Sequence, residues 1–303
     1  MKPGANPNWF ANNPLDRAFE RRDDPGFIEA ARTRPDTVLV PLWRGDPLIH
    51  EGAARFLSGD DFAKVDDNAP WVFLGLLDGA AHFAVDLSAA PDREKTVFSD
   101  VGEFVPIREA ATIVDRSATS IIGHARWLFE WHRKHQYCAV CGGETQMRQG
   151  GAKRQCIDCG AEHFPRCDPV AIVLAVHDGA CLLGRSPRFP PTFFSALAGY
   201  IEAAETPEEA AKRELFEEAG VVLTDVRYQF SQPWPFPTTL MMGFIADAEG
   251  RDITLDTNEI VEALWVSKDE IRAILGGQRR EDLRLPPQFT IARQLIDVWA
   301  RND

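Results

Sequence analysis

The stretch that most constrains this chain lies between Thr206 and Gly220. Thr206 is a good N-cap, Pro207 stands at the first helical position, and Glu209, three residues after the cap, completes a capping box. Gly220 supplies the C-terminal stop. The helix so delimited has two faces. Ala211, Leu215 and Ala219 lie four residues apart and can pack inward, whereas Glu214, Glu217 and Glu218, at i, i+3 and i+4, share a different face. Like charges at these spacings repel by roughly 0.2–0.5 kcal/mol per pair, so a cation should offset them. Arg213 is one candidate. A hard divalent metal is the better one: magnesium binds through one or two carboxylates and takes substrate phosphates in its remaining positions. The alternative reading of the same three residues is a solvated acidic helix face.

The chain has 303 residues, enough for two domains and a sizeable core. Its net charge of −13 argues against broad, non-specific binding to a nucleic-acid backbone or an anionic membrane. A phosphate-bearing substrate remains compatible, because metal ions neutralise a site locally. No apolar run is long enough to span a bilayer. The N-terminal segment is polar, broken by Pro3, Pro7, Pro14 and Pro25, and has neither an apolar signal core nor the acid-poor pattern of a transit peptide. A cytoplasmic protein is expected.

Four of the six cysteines form a pattern: Cys138 and Cys141, fourteen intervening residues, then Cys156 and Cys159. This is zinc-ribbon spacing, with Gly142, Gly143 and Gly160 available for the knuckle turns, and four thiolates close a tetrahedral site with no open position. A redox-active pair is the alternative. Cys167 and Cys181 sit in or beside apolar runs and are expected to be buried thiols. His163 lies close enough to be considered as a ligand, but the cysteines already complete the site.

Three parts are expected: 1–137, 138–167 (the ribbon) and 168–303. The first contains strand-like runs at Thr37–Trp43, Trp71–Leu77 and His82–Leu87, with Asp78-Gly79 turning the last two into a hairpin. A helix follows from about Ala118 to Lys134, capped by Ser117, with Ile121, Ile122, Ala125, Leu128 and Phe129 as its apolar stripe. In the third part, strands are predicted at Val170–Val176, Ala180–Gly184, Val222–Phe230, Thr239–Ala246 and Ala263–Ser267. A capping box at Ser267–Glu270 opens a short helix, and a final helix spans Phe289–Arg301. The alternation suggests a mixed sheet between helices. Pro233, Pro235 and Pro237 prevent a regular helix or an interior strand at Ser231–Pro237 and stiffen a loop carrying Trp234 and Phe236. Such a loop suits the holding of a flat ring; a plain rigid turn with core aromatics is the alternative.

Gly199, five residues, Glu205, seven residues, then the run Arg213 to Val221 match the Nudix box at every fixed position. The segment Ser231 to Pro237, the ribbon before the Nudix part, the run His163 to Pro169 and the run Trp131 to His135 resemble the NADH pyrophosphatase family of Nudix hydrolases. The resemblance covers about 120–303 with specific motifs and the N-terminal third only loosely. It implies an α+β chain: a Nudix α/β/α sandwich with a mixed sheet, preceded by a zinc ribbon and an N-terminal Nudix-like α/β domain. It also implies metal-dependent hydrolysis of the pyrophosphate of NADH or NAD to AMP and nicotinamide mononucleotide, extending to removal of NAD caps from RNA 5′ ends. Magnesium or manganese, a homodimer and no membrane are implied as well.

By motif position the resemblance makes Glu214 and Glu218 metal ligands, Glu217 a further ligand or the group that orients water, and Arg213 the partner that fixes a box carboxylate. Glu259 matches an extra acidic metal-site position, with an exposed loop acid as its alternative, and the carbonyl of Ala198 matches a metal-contacting one. Gln232, Pro233, Trp234, Pro235, Phe236, Pro237, Thr238 and Thr239 would line the dinucleotide pocket. Phe164 and Tyr200 would flank the nicotinamide ring, and Ala292 would be a further pocket residue. Metal ions would polarise the pyrophosphate while a carboxylate positions or deprotonates the attacking water; the zinc would be structural. Three positions depart from the pattern. Ala203-Ala204 replace a frequent glycine, Thr239 replaces a frequent serine, and Gly151 stands where some members have a substrate-contacting glutamate. Two rival readings stay open. One is a zinc-ribbon nucleic-acid-binding protein with an idle Nudix domain, favoured by Arg148, Lys153, Arg154 and Arg166; the other is a hydrolase of another substrate such as ADP-ribose or a dinucleoside polyphosphate.

Overall fold

The computed structural model describes residues 6–302; the first five residues of the polar N-terminal segment, and Asp303, lie outside the description. The chain forms two compact units. One comprises Phe10–Cys167 together with Trp234–Thr238; the other comprises residues 6–9, Asp168–Pro233 and residues 239–302.

In the first unit, Val38–Trp43 pairs in parallel with Ala80–Asp86 and antiparallel with Asp46–His50. The expected hairpin joins Trp71–Leu77 to Ala80–Asp86. Asp78 and Gly79 both take positive φ at its turn, the combination that matches the twist of a two-residue hairpin. The long helix runs Arg116–Lys134 and buries Ile121, Ile122, Ala125, Leu128 and Phe129 as expected. Its cap is Asp115, not Ser117: the Asp115 carboxylate accepts from the Ala118 amide at 2.9 Å, and the helix already includes Ser117.

The ribbon is a three-stranded sheet of Thr145–Arg148, Lys153–Cys156 and Glu162–His163. Its hairpin tip packs on the strand Trp71–Leu77. A Cβ on Gly150 would fall 2.8 Å from the Phe73 side chain and one on Gly151 2.6 Å from that of Val72, and both glycines have positive φ. A side chain at Gly151 would therefore need both a strained backbone and a shift of Val72.

The second unit is built on a six-stranded mixed sheet. Its central strand, Asp168–His177, reads as a continuous apolar run because both faces are covered. It pairs in parallel with Thr239–Ala248 and antiparallel with Ala180–Arg185 and Leu197–Tyr200. The helix Pro207–Ala219 covers one face, where Ala210, Ala211, Leu215 and Ala219 pack with Val173 and Phe244. The helices Lys268–Leu275 and Ile291–Arg301 cover the other, with Ile271, Ile291, Leu295 and Ile296 against Ile172 and Leu174. This is the expected sandwich. The strand expected at Val222–Phe230 runs farther, over Leu223–Trp234; it lies at an edge of the sheet, where Pro233 is tolerated. Cys181 is buried as expected, but Cys167 is exposed, in the connection just before the central strand.

Candidate active site

The capping box forms as read. Thr206 Oγ1 accepts from the Glu209 amide, and Glu209 Oε2 accepts from the Thr206 amide at 2.8 Å. Gly220 ends the helix in the left-handed conformation, with Thr254 so close that a Cβ would fall 2.9 Å from it. The segment 254–259 is fastened to this helix end: the Thr254 amide donates to Ala219 O at 2.8 Å and the Asp256 amide to Glu218 O at 3.1 Å, satisfying carbonyls that the helix itself leaves open. That docking brings Glu259 near enough for its charge to act on Glu218.

Arg213 uses all five of its N–H donors. Nε and Nη2 grip Glu205 at 2.8 Å each, Nη1 reaches Glu214 Oε1 at 2.8 Å and Glu217 Oε2 at 3.0 Å, and Nη2 also reaches the Tyr200 carbonyl at 3.0 Å. The bonds to Glu205, then Glu214, push the Arg213 pKa above its usual value. The same pairing, with the Glu202 amide, pulls Glu205 down to about 2. The positioning partner expected in Arg213 is present; the bidentate role of Glu205 was not foreseen, although the residue belongs to the matched pattern.

Glu214 lies directly against Gly199 on the strand Leu197–Tyr200, one residue after Ala198. Glu218 is 7% exposed, and its Oε2 has no hydrogen-bond partner. Burial foremost, then the charges of Glu214, Glu259 and Glu217, push its pKa up to about 8. A buried carboxylate oxygen without a donor, surrounded by carboxylates, is an arrangement that a hard divalent cation fits. Among the described residues only the four cysteines bring three or more ligating atoms within 4.8 Å of one another.

The cysteines fit zinc. Cys138 and Cys159 Sγ are 3.7 Å apart and Cys141 and Cys156 Sγ 3.4 Å, near the edge of about 3.8 Å for a tetrahedron with Zn–S bonds of about 2.3 Å. His163 Nε2 lies 3.3 Å from Cys138 Sγ, as a partner of the sulfur.

The remaining expected residues divide. Phe164 and Tyr200 are 65% and 61% exposed, large aromatic surfaces facing outward. Trp234 and Phe236 are half-buried, Pro235 is buried and Pro237 exposed, while Thr238 and Thr239 are buried. Gln232 is fully buried, and both of its amide hydrogens are used. Nε2 donates to Trp9 O at 3.1 Å and Phe289 O at 2.8 Å, and Oε1 accepts from the Ile291 amide at 2.7 Å. It anchors the start of the last helix. Ala292, likewise, is buried in the apolar core. Of the basic residues that favoured nucleic-acid binding, Lys153 pairs with Glu162 at 2.6 Å and Arg154 is buried, bonded to Thr145 and His132.

Three regions of the chain match known protein families. Residues 36–131 match the NADH pyrophosphatase-like rudimentary NUDIX domain, 133–164 the NADH pyrophosphatase zinc ribbon domain and 165–285 the NUDIX domain. The chain is 31% identical to the human NAD-capped RNA hydrolase NUDT12 over 97% of its own length and 73% of that protein. It is 35% identical to the NAD-capped RNA hydrolase NudC of Mycobacterium bovis over 94% of its own length and 92% of that protein. The chain belongs to the NADH pyrophosphatase family of Nudix hydrolases. A NUDIX hydrolase crystal structure from Nitrosomonas europaea aligns with 55% of this Nudix chain and 90% of its own, at 20% identity and a TM-score of 0.44. As the family's ribbon implies, the four cysteines form a structural zinc site. Among the described residues no helix is long and apolar enough to cross a membrane.

Proposed function

We propose that this Nudix hydrolase cleaves the pyrophosphate of NADH or NAD to AMP and nicotinamide mononucleotide, and removes NAD caps from RNA 5′ ends. The observation that carries the reading is the buried, unpartnered Glu218 oxygen among Glu214, Glu217 and Glu259, in a chain whose relatives are NAD-capped RNA hydrolases. Magnesium or manganese held by these glutamates and the Ala198 carbonyl would supply positive charge to the pyrophosphate oxygens and lower the pKa of the attacking water. Glu218 and Glu214 would hold the ion. Glu217, the most exposed of the box trio, would be a further ligand or the group that orients the attacking water. Arg213 holds Glu214 and Glu217 in place from the side. The aromatic segment Trp234–Phe236 takes a planar ring of the dinucleotide. The working division is 1–137, 138–167 and 168–303, in a cytoplasmic homodimer.

The test is AMP release from NADH, NAD and a short NAD-capped RNA, with magnesium, manganese or chelator. Activity should require the added metal, and Glu218→Gln should remove it while leaving the circular dichroism spectrum unchanged. A Glu218→Gln protein of normal rate, or a wild-type protein active only on ADP-ribose, refutes the assignment.

A further inference from the structure

The segment Trp234–Thr238 is short of backbone donors. Pro233, Pro235 and Pro237 have no N–H, so the backbone offers few internal bonds, and the short Phe236 N to Trp234 O contact of 2.7 Å is one of them. The Pro235 carbonyl is met from outside by the Nε of Arg126, at 2.8 Å, from the helix Arg116–Lys134, 109 residues away in sequence. The Arg126 guanidinium also stands 5.4 Å over the Phe236 ring and 3.8 Å from Asp46. Gly45 makes room for it: a Cβ there would fall 2.2 Å from Arg126 Nη1. Asp46 in turn accepts from the Ile107 amide at 3.1 Å, at the start of the helix that carries Arg108. Arg108 lies 4.4 Å over Phe236 and 5.5 Å over Trp234. Phe10 meets both rings edge-on, at 6.3 and 6.1 Å.

We propose that Arg126 is a positioning residue for substrate-ring binding: by holding the Pro235 carbonyl it fixes the orientation in which Trp234 and Phe236 meet a planar nitrogen heterocycle. The inference rests on the reading of Trp234–Phe236 as the ring-holding segment. Guanidinium planarity matters, because Nε bonds the carbonyl while the terminal nitrogens reach toward Asp46, a division that a lysine cannot reproduce. Ring binding is equal in the ground and transition states, so its loss appears in KM and not in kcat.

The experiment measures kcat and KM for NADH in the wild-type chain, Arg126→Ala, Trp234→Ala and the double variant, with melting temperature and zinc content as controls. Arg126→Ala should raise KM about fivefold to tenfold, the equivalent of one lost hydrogen bond, with kcat within about twofold. In the Trp234→Ala background it should add nothing further. An unchanged KM in Arg126→Ala, or effects that multiply in the double variant, overturns the proposal. If Arg126→Ala does not fold, Arg126→Lys carries the same test, since it keeps the charge and loses the Nε donor. A Trp234→Ala protein of unchanged KM would instead refute the ring-holding reading itself.

Discussion

The carboxylate of Glu214 rests on the Cα of Gly199: a Cβ built on that glycine would lie 1.8 Å from Glu214 Cδ and 2.1 Å from each of its oxygens. The glycine is required here by contact and not by a left-handed backbone, since it is not among the positive-φ residues. The obstructed atoms are the far end of a flexible side chain, so Gly199→Ala should move Glu214 without unfolding the strand. We expect metal-dependent turnover to fall by about two orders of magnitude, the cost of an ångström-scale misplacement, with a melting temperature close to that of the parent. Steady-state kinetics and a manganese titration, each paired with a thermal melt, check this.

Ala204 adopts φ of 66° in the turn before Glu205, a conformation in which a Cβ is unfavourable. This is the structural content of the missing glycine at Ala203-Ala204. Ala204→Gly should stabilise the second unit by about 0.5–1 kcal/mol, the relieved strain being offset in part by added freedom in the unfolded chain. Urea denaturation followed by circular dichroism reads it; a destabilised variant would contradict the assignment of strain.

Gln232 satisfies three backbone groups, those of Trp9, Phe289 and Ile291, inside the second unit. Gln232→Ala leaves them without partners and should cost about 2–3 kcal/mol. Hydrogen exchange should rise first in the opening turn of the helix Ile291–Arg301. A variant of unchanged stability would contradict this anchoring role.

His132 is buried between the Gly151 carbonyl, 2.8 Å from Nε2, and Arg154, whose Nη1 lies 3.3 Å from Nδ1. A neutral ring satisfies both, donating to the carbonyl and accepting from the guanidinium, whereas a protonated ring confronts Arg154 with a second donor. Burial, with Arg154 adding to it, lowers the His132 pKa to about 4. The unfolded chain takes up this proton near pH 6.5 and the folded chain only near pH 4. The contribution to stability is therefore complete above about pH 6.5 and is lost as pH falls toward 4, about 2 kcal/mol of it by pH 5. His132→Gln keeps a donor for Gly151 and removes the titration, so its urea midpoint should change less between pH 7 and 5 than that of the parent at equal zinc content.

What the sequence made legible was local. The helix Pro207–Ala219 carries its caps, its apolar stripe and its acidic face within fifteen residues, and the cysteine pairs carry their own spacing. The same locality misled at the long helix, where Asp115 and Ser117 are both competent caps and only the observed hydrogen bond separates them. Gln232 and Arg126 were illegible for the opposite reason. Their partners at Phe289 and Pro235 lie 57 and 109 residues away, and nothing in the neighbouring residues marks a buried amide or a bound carbonyl. The short strands at Asp46–His50, Ala53–Ala54 and Leu57–Ser58 carry too few residues for an alternating pattern to register.

Arg213 matches five donors to five acceptors, leaving no slack in the arrangement. A change at Glu214 or Glu217 strands one guanidinium hydrogen and a change at Glu205 two, and a change at Arg213 takes the shared partner from three anions at once. Lineages of this fold should therefore alter the quartet jointly or not at all, and a homologue that has replaced the arginine should have given up its acidic neighbours as well.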